Sequence, residues 1–573
     1  MGIIRQKIHK ATKTSKGKVV FSTILLLMVL GVTGGIVYWQ THKKQIIREK
    51  LESAINDKSR GFYSIKYETL DLNEITGYLS LTNVELMYDS TKIEALREIG
   101  ITPPTLLKIR IPEISISGVE TPKAIIGKEI NGRKLLIKDP EIEIIYTNQG
   151  KDSARNVPTK QVYEQLLGDL RQISVDTIDI TGATVTTRSL KTKSRGIQLT
   201  DANLQLIDVK IDSNSQADPN RFMFSKEMTV KIGNISWWSD SKLYKFVTKD
   251  IVVNSGKRAG AIGSIVMQPQ MGEDEFVKSL PTQDDRFDFE LRSISIQDLD
   301  ISKLLDEEFD AGTVDIGSSS FKIYRDLNIK RDTRNRVGSY PHQVLDEVPI
   351  PFYVKKMTVR NSFVEYKEKS NITKNAGKVQ FYNIFATIGN LTNDKERIAR
   401  DNTMNADVTC SFLNRSPLKV SWVFYLGNSS GKFNVKGNLG SMNAEELNPL
   451  TEPMGPARIS NGTIKSVNFD LTGNDYSMNG SVTVLYDDLK VSLLEKDKGE
   501  DKWERKGITS LLANILIKNS NPRDDDEEPK VVSVTNQRDT NRSMFNLAWK
   551  TLFKGIQESV GIKPKDTNPV ARR

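Results

Sequence analysis

The chain has 573 residues, a formal net charge of +10, three histidines and one cysteine. One cysteine excludes an intrachain disulfide, and His9, His42 and His342 are too few and too scattered to build a histidine metal centre or a histidine-based catalytic triad. The charge sits at two places, +6 in residues 1–18 and +3 in residues 40–60, leaving +1 for the 513 residues that follow; this excludes nucleic acid as a partner and assigns the basic excess to anionic headgroups.

Val19 to Trp39 is a run of 21 residues without a charged side chain. As a helix it spans about 31 Å, matching the roughly 30 Å hydrocarbon core of a bilayer. The expectation is a single transmembrane helix over 19–39, with Tyr38 and Trp39 at headgroup level. A cleaved signal peptide is the competing reading; it is set aside because its apolar region is shorter and no Ala-x-Ala site follows Leu30. Basic residues number six on each side of the run, so orientation rests on the acid-free tail 1–18, read as cytoplasmic, with the large body across the membrane. Ile47, Leu51, Ala54 and Ile55 fall at helical spacing and extend the helix into a juxtamembrane stalk over 40–60.

From Phe62 the apolar period changes from 3.6 to 2, as in Phe287, Phe289 and Leu291, in Leu418, Val420, Trp422 and Phe424, and in Val467, Phe469 and Leu471. The body over 61–440 reads as repeated strands in mostly antiparallel pairing, joined by polar connections. Where parity slips between Ile111 and Ile114, Pro112 suggests a bulge or a strand break. Residues 148–160, 212–221, 272–286, 326–341 and 495–506 read as loops. One helix is expected at Val162, Leu166, Leu167 and Leu170, and another from Ser441 to just before Pro449, where a C-terminal region 441–560 begins. A unit of two alternating apolar residues followed by a turn former recurs at Ile114, Ile116 and Gly118, at Ile178, Ile180 and Gly182, at Ile294, Ile296 and Asp298, and at Met357, Val359 and Asn361, hinting at an internal repeat.

A sheet with one apolar face needs a cover: helices, a second sheet, its own closure, or a ligand. Helices are few, so a β-sandwich or closed barrel stands beside an elongated, curled sheet whose inner face is an open apolar trough. On the second reading Ile109, Ile111, Ile114, Ile116, Ile144, Ile178, Ile180, Ile294, Ile296, Val359 and Phe469 share that face. From Ser543 as N-cap, Phe545, Trp549, Leu552, Ile556 and Val560 form one stripe of a terminal amphipathic helix, widened by Phe553, with Asn546, Lys550, Lys554 and Glu558 opposite. That stripe is expected to cap the end of the sheet; a docking role for Trp549 and Phe553 is the alternative. A tail over 561–573 is read as disordered.

The segments Asn519 to Arg523, Asn536 to Asp539 and Ser543 to Ile556, with Gly440 to Leu450 and Ile459 to Ile464, resemble the closing region of AsmA-like envelope proteins. The resemblance covers roughly the last quarter of the chain. It implies a bridge-like lipid-transfer fold, anchored in the inner membrane and holding phospholipid acyl chains in a β-groove in the periplasm of a Gram-negative bacterium. An outer-membrane or periplasmic protein partner is compatible with it, and the second functional reading is a structural or assembly factor for envelope proteins with a closed β core. No cofactor, metal site or enzymatic activity is expected. Cys410 sits in an alternating strand as a small apolar residue, and Asp524 to Glu528 lacks the glycine and ligand spacing of a calcium loop.

Overall fold

The structure is a computed structural model describing residues 52–53 and most of 59–561; residues 1–51, 120–128, 148–170, 191–194, 496–503, 506–518 and 562–573, with some shorter gaps, lie outside the described residues. The expected membrane helix 19–39, most of the stalk, the helix at Val162 to Leu170 and the terminal tail fall there. No described helix is long and apolar enough to cross a membrane. Of the described residues 60% are in strands and 14% in helices, so the chain is mainly β. Two compact units divide it: residues 1–241, 245–265 and 297–308, and residues 242–244, 266–296 and 309–573.

The first part of the chain forms β1 (Tyr63–Lys66), β2 (Thr69–Asn73), β3 (Tyr78–Tyr88), β4 (Thr105–Ser117), β5 (Glu129–Lys138), β6 (Glu141–Tyr146), β7 (Gln172–Ser189), β8 (Arg195–Ile211), β9 (Glu227–Trp238), β10 (Tyr244–Asn254) and β11 (Ala259–Pro269). β1 and β2 both pair with β3, which pairs with β4. One edge of β4 is shared by β5 and β6, and these run parallel to β7. β7 to β10 continue antiparallel. The alternating β-branched residues suit a pleated, half-buried surface, and the short polar connections favour antiparallel neighbours.

The rest contributes β12 (Arg286–Gln297), β13 (Phe309–Asp326), β14 (Phe352–Lys369), β15 (Ala376–Thr392), β16 (Thr403–Phe412), β17 (Ser416–Tyr425), β18 (Phe433–Leu439), β19 (Met442–Asn443), β20 (Ala457–Gly473), β21 (Ser477–Glu495), β22 (Glu504–Arg505) and β23 (Val531–Gln537). β13 and β14 are parallel, and β14 to β18, then β20, β21 and β23, follow antiparallel. Each unit contains a parallel pairing with the same register: Glu129 faces Gln172 and Phe309 faces Phe352, an offset of 43 residues in both. β7 and β14 are each 18 residues long and begin 180 residues apart. This shared geometry is far stronger evidence of duplication than the spacing of the short motifs.

Single left-handed residues inside the strands explain the slips of parity. Asn83 in β3 has φ 48°, and around it the buried apolar positions change from Leu81 to Val84 and Leu86. In β8 the apolar set passes from Ile211 and Val209 to Leu206 and Leu204 across Asp208 (φ 54°), and to Leu199 across Asp201 (φ 53°). Ser293 in β12, Asn361 in β14, Asn383 in β15 and Asp488 in β21 also have positive φ, and around the last three the pairing shifts register as in a β-bulge. A left-handed residue reverses the pleat, so the apolar residues on both sides of it stay on one face. Asn and Asp tolerate this conformation because their short side chains bond locally, whereas Val or Ile resist it. The kinks line up across neighbouring strands: Asn83 lies at the register position of Pro112, and Asp201, Gly233 and Asp250 form another column. The break or bulge expected at Pro112 is therefore corrected. β4 runs through it with unshifted register against β3, and the parity slip comes from a pleat reversal. All four turn formers of the recurring unit, Gly118, Gly182, Asp298 and Asn361, have positive φ, but Gly182 and Asn361 lie in the middle of strands.

Two further expectations change. The loop at 272–286 contains the helix Glu273–Ser279, which buries Phe276 and Val277. The helix expected from Ser441 is a short strand, a 3-10 turn Ala444–Leu447 and a helix Asn448–Met454. Pro449 starts that helix instead of ending it, since a first-turn proline lacks only an N–H that would go unpaired anyway.

Candidate functional site

In the first unit the predicted isoleucines fall into adjoining cross-strand rows. Leu81, Ile114, Ile137, Ile180, Leu204, Val230 and Val253 are directly paired from β3 to β10. Leu79, Ile116, Leu135, Ile178, Leu206 and Met228 make the next row. Beyond the kinks, Ile109 joins Leu86 and Ile142, Ile111 faces Val84, and Ile144 faces Leu107. Ile109, Ile111, Ile116, Ile144, Ile178 and Ile180 are only 1–8% exposed, as deeply buried as any core residue, while Ile114 is half-buried. Toward β9 and β10 burial loosens: Val230, Ile232, Ile235, Trp237, Ile251 and Val253 are half-buried, with Trp237 stacked on Phe246.

In the second unit Val359 and Phe469 lie in one row nine strands wide: Ile316, Val359, Ala386, Val408, Val420, Gly437, Phe469, Val482 and Val532. A β-carbon on Gly437 would stand 2.1 Å from the Phe469 ring, so the glycine leaves the space the ring fills. Ile294 and Ile296 of β12 are buried. Past the kink, Phe321, Val364, Phe381 and Phe412 form a second row, and Phe287 and Phe289 contact the Phe321 ring at 5.9 and 5.6 Å. Phe287, Phe289, Phe321, Val364 and Phe381 are half-buried.

The C-terminal strands of this unit are covered. Segment 327–347 lays Tyr340 against Phe433 and His342 against Phe424. It is tied down by Arg538, fully buried, whose guanidinium pairs with Asp475 at 2.8 Å, bonds the carbonyl of Arg336 and stands over the Tyr340 ring. Asp475 also accepts from Gly338 and Gln343. Burial pushes the Tyr340 hydroxyl up to about 12 and the His342 imidazole down to about 4, the latter against the opposing charge of Asp475. Both His342 ring nitrogens lack a hydrogen-bond partner among the described residues, so the ring is a neutral packing group. Burial also raises the Cys410 thiol to about 11, far from a nucleophile.

The second cover is the helix Met544–Ser559, capped by the Ser543 hydroxyl accepting from the Asn546 N–H. Its packed face is not the expected one. Met544, Leu547, Thr551, Gly555 and Ser559 are buried, Leu552 and Ile556 are half-buried, and Phe545, Trp549 and Phe553 are 60%, 40% and 41% exposed. One reason is close approach at the C-terminal half of the seam: a β-carbon on Gly555 would meet Val482 at 2.6 Å, so no side chain fits at that position. The hydroxyls of Thr551 and Ser559 are satisfied within the helix by the carbonyls of Leu547 and Gly555. Trp549 stacks on Phe553, and Phe545 meets Trp422 of β17 edge-on.

At the end of the Phe321 row the same face turns polar. Beyond Ile323 and Tyr366, the paired positions Arg325 and Glu368 follow. Arg325 makes a two-pronged ion pair with Asp285, both bonds 2.7 Å. Around it Arg331 pairs with Asp539, Arg334 with Asp284 and Asp332, and Arg336 with Asp332. Sequence reading assigned 326–341 to a loop and missed this arginine network, although the Arg331, Arg334, Arg336 spacing opposite Asp284 and Asp285 was available as a signal. Outside it, Lys419, Lys436, Asn468 and Asp470 line a shallow depression of about 400 Å³ beside Phe469. Among the described residues no group of three or more His, Cys, Asp or Glu is placed to hold a metal ion.

Compared with known protein families and with curated proteins, the chain matches none.

Proposed function

We propose that the chain is a membrane-anchored envelope protein whose apolar sheet face binds or conducts phospholipid acyl chains between inner and outer membranes, as the resemblance to AsmA-like proteins implies. The observation that carries this reading is the half-exposed apolar face of β12 to β15: Phe287, Phe289, Phe321, Val364 and Phe381 are held in one patch by strand pairing and ring contacts, without a full cover among the described residues. Apolar surface of this kind gains free energy from any occupant that displaces water, in proportion to area. The reading places residues 19–39 across the inner membrane and the body, an elongated curled sheet, in the periplasm, with Lys and Arg of 1–18 and 40–60 at the headgroups. It needs no bond chemistry.

A second reading, a closed β core that docks envelope proteins, is favoured by the deep burial of Ile109, Ile111, Ile116, Ile178 and Ile180. Lipid extraction and mass spectrometry of the full chain, purified in amphipathic polymer, separates the two. Phospholipid retained in stoichiometric amount, and lost on Phe289→Asp, is the expected result. A lipid-free chain of undiminished stability would leave the docking reading.

A further inference from the structure

In the arginine network at the end of the Phe321 row, Arg542 forms no ion pair among the described residues; the carboxylates of Glu368 and Asp539 act on it only from beyond ion-pair distance. Arg325, Arg331, Arg334, Arg336 and Arg538 each hold a carboxylate within ion-pair distance. Arg542 does not; among the described residues its guanidinium donates to the neutral amide oxygen of Gln283, at 3.1 Å. It is half-buried and therefore reachable. Two neighbours add donors, because the buried Nε–H groups of Arg336 and Arg538 find no acceptor among the described residues. Burial, and next the like charge of Arg325, hold the Arg542 guanidinium below its ordinary value against the opposing charges of Glu368 and Asp539. A half-buried guanidinium left with one neutral acceptor is costly, and the remedy in other sites is an oxyanion taken by its planar fork.

The surroundings say what kind of oxyanion. Arg325 and Glu368, whose charges act on Arg542, lie on β13 and β14 at the end of the face that carries Phe321 and Val364. An apolar strip that terminates at this guanidinium is complementary to an amphiphile with a single anionic head. We propose that Arg542 and Gln283 form a head-group site for a phosphate or carboxylate whose acyl chain lies along Phe321, Val364 and Phe381. This deepens the lipid-binding reading and rests on it: the protein does not take acyl chains indifferently but selects anionic amphiphiles at this end of the second unit.

The test uses the full chain in amphipathic polymer, free of detergent, titrated by calorimetry with dodecyl phosphate, dodecanol and inorganic phosphate. One charge-assisted pair in a partly dry site is expected to make dodecyl phosphate bind about tenfold tighter than dodecanol or more. Arg542→Gln should erase that difference while leaving dodecanol binding and the melting temperature unchanged, and Arg542→Lys should restore part of it. Should Arg542→Gln unfold, Gln283→Leu, which removes the orienting acceptor but keeps the charge, is expected to weaken only the phosphate ligand. Equal binding of dodecyl phosphate and dodecanol in the parent chain overturns the head-group site alone. Inorganic phosphate binding as tightly as dodecyl phosphate overturns the lipid source of the oxyanion. If neither dodecyl compound binds, the lipid reading falls and this inference falls with it.

Discussion

The strands of the first unit and the Phe321 region of the second share one pattern, apolar residues alternating with polar ones, yet they give different surfaces. Around Ile178 the rows are aliphatic and sealed; around Phe321 they are largely aromatic and half-open. Aliphatic rows interdigitate closely and exclude solvent, whereas stacked and edge-on rings hold their places at 5–6 Å while leaving faces uncovered. Alternation therefore identifies a strand with an apolar side but does not tell whether that side is a core or a binding surface. What lies over the rows decides it: Phe424 and Phe433 are sealed beneath segment 327–347, while the rings around Phe321 stay half-open.

The sharpest way to break this contrast is to place a charge on each surface. Ile178→Asp buries a carboxylate with no partner and should lower stability by roughly 4 kcal/mol or unfold the first unit. Phe289→Asp, at a half-buried site, should cost about 1–2 kcal/mol while removing bound lipid. Chemical denaturation of the two variants measures the difference, and equal losses would mean that both faces are ordinary core.

The terminal helix offers the same contrast on one element. Leu547→Ala, on the packed seam, should cost about 3 kcal/mol, whereas Trp549→Ala with Phe553→Ala should stay within about 1 kcal/mol of the parent. A large loss from the aromatic pair, read by thermal unfolding, would restore these rings to the role of cap anchors.

A pH titration locates the sealed part of the second unit. His342 has a folded-state value near 4 against an ordinary 6.5, so the unfolded chain takes up the proton first. The stability contributed by the neutral ring is complete above pH 6.5 and declines as pH falls, reaching a loss of about 3 kcal/mol below pH 4. His342→Phe should flatten this dependence between pH 6.5 and 4, and a slope that survives the substitution would place its origin in another group.

The smallest expected effect comes from the kinks. Asn361→Val forces a β-branched residue to φ 45° and should cost about 1–2 kcal/mol, while Asn361→Gly should be near neutral. If valine is tolerated with no loss, the left-handed residue is not what aligns the half-open face with the rows before it.

The strand content and the membership of Ile114, Ile178 and Val359 in apolar rows were legible because a period of 2 leaves a direct mark in sequence. Three features were not. The pleat reversals use Asn, Asp and Ser, residues that read equally well as turns, and only the pairing partner reveals whether the chain doubles back or continues. The packed face of the terminal helix was hidden because it carries Thr551, Gly555 and Ser559, which score as polar or neutral. The polar end of the Phe321 row depends on contacts such as Arg542 with Gln283, 259 positions apart, which no local window contains.

The aligned left-handed residues also act as tally marks during assembly. In a sheet of near-identical alternating rows, two strands slipped by two residues would still match apolar to apolar, and nothing in hydrophobicity would reject them. The slipped pair, however, sets a reversed pleat against an unreversed one, so that beyond the mark every side chain points the wrong way. Asp201, Gly233 and Asp250 thus give three successive strands a common zero point. A sheet made from monotonous rows can in this way be counted off correctly, strand against strand, by a handful of asparagines, aspartates and glycines.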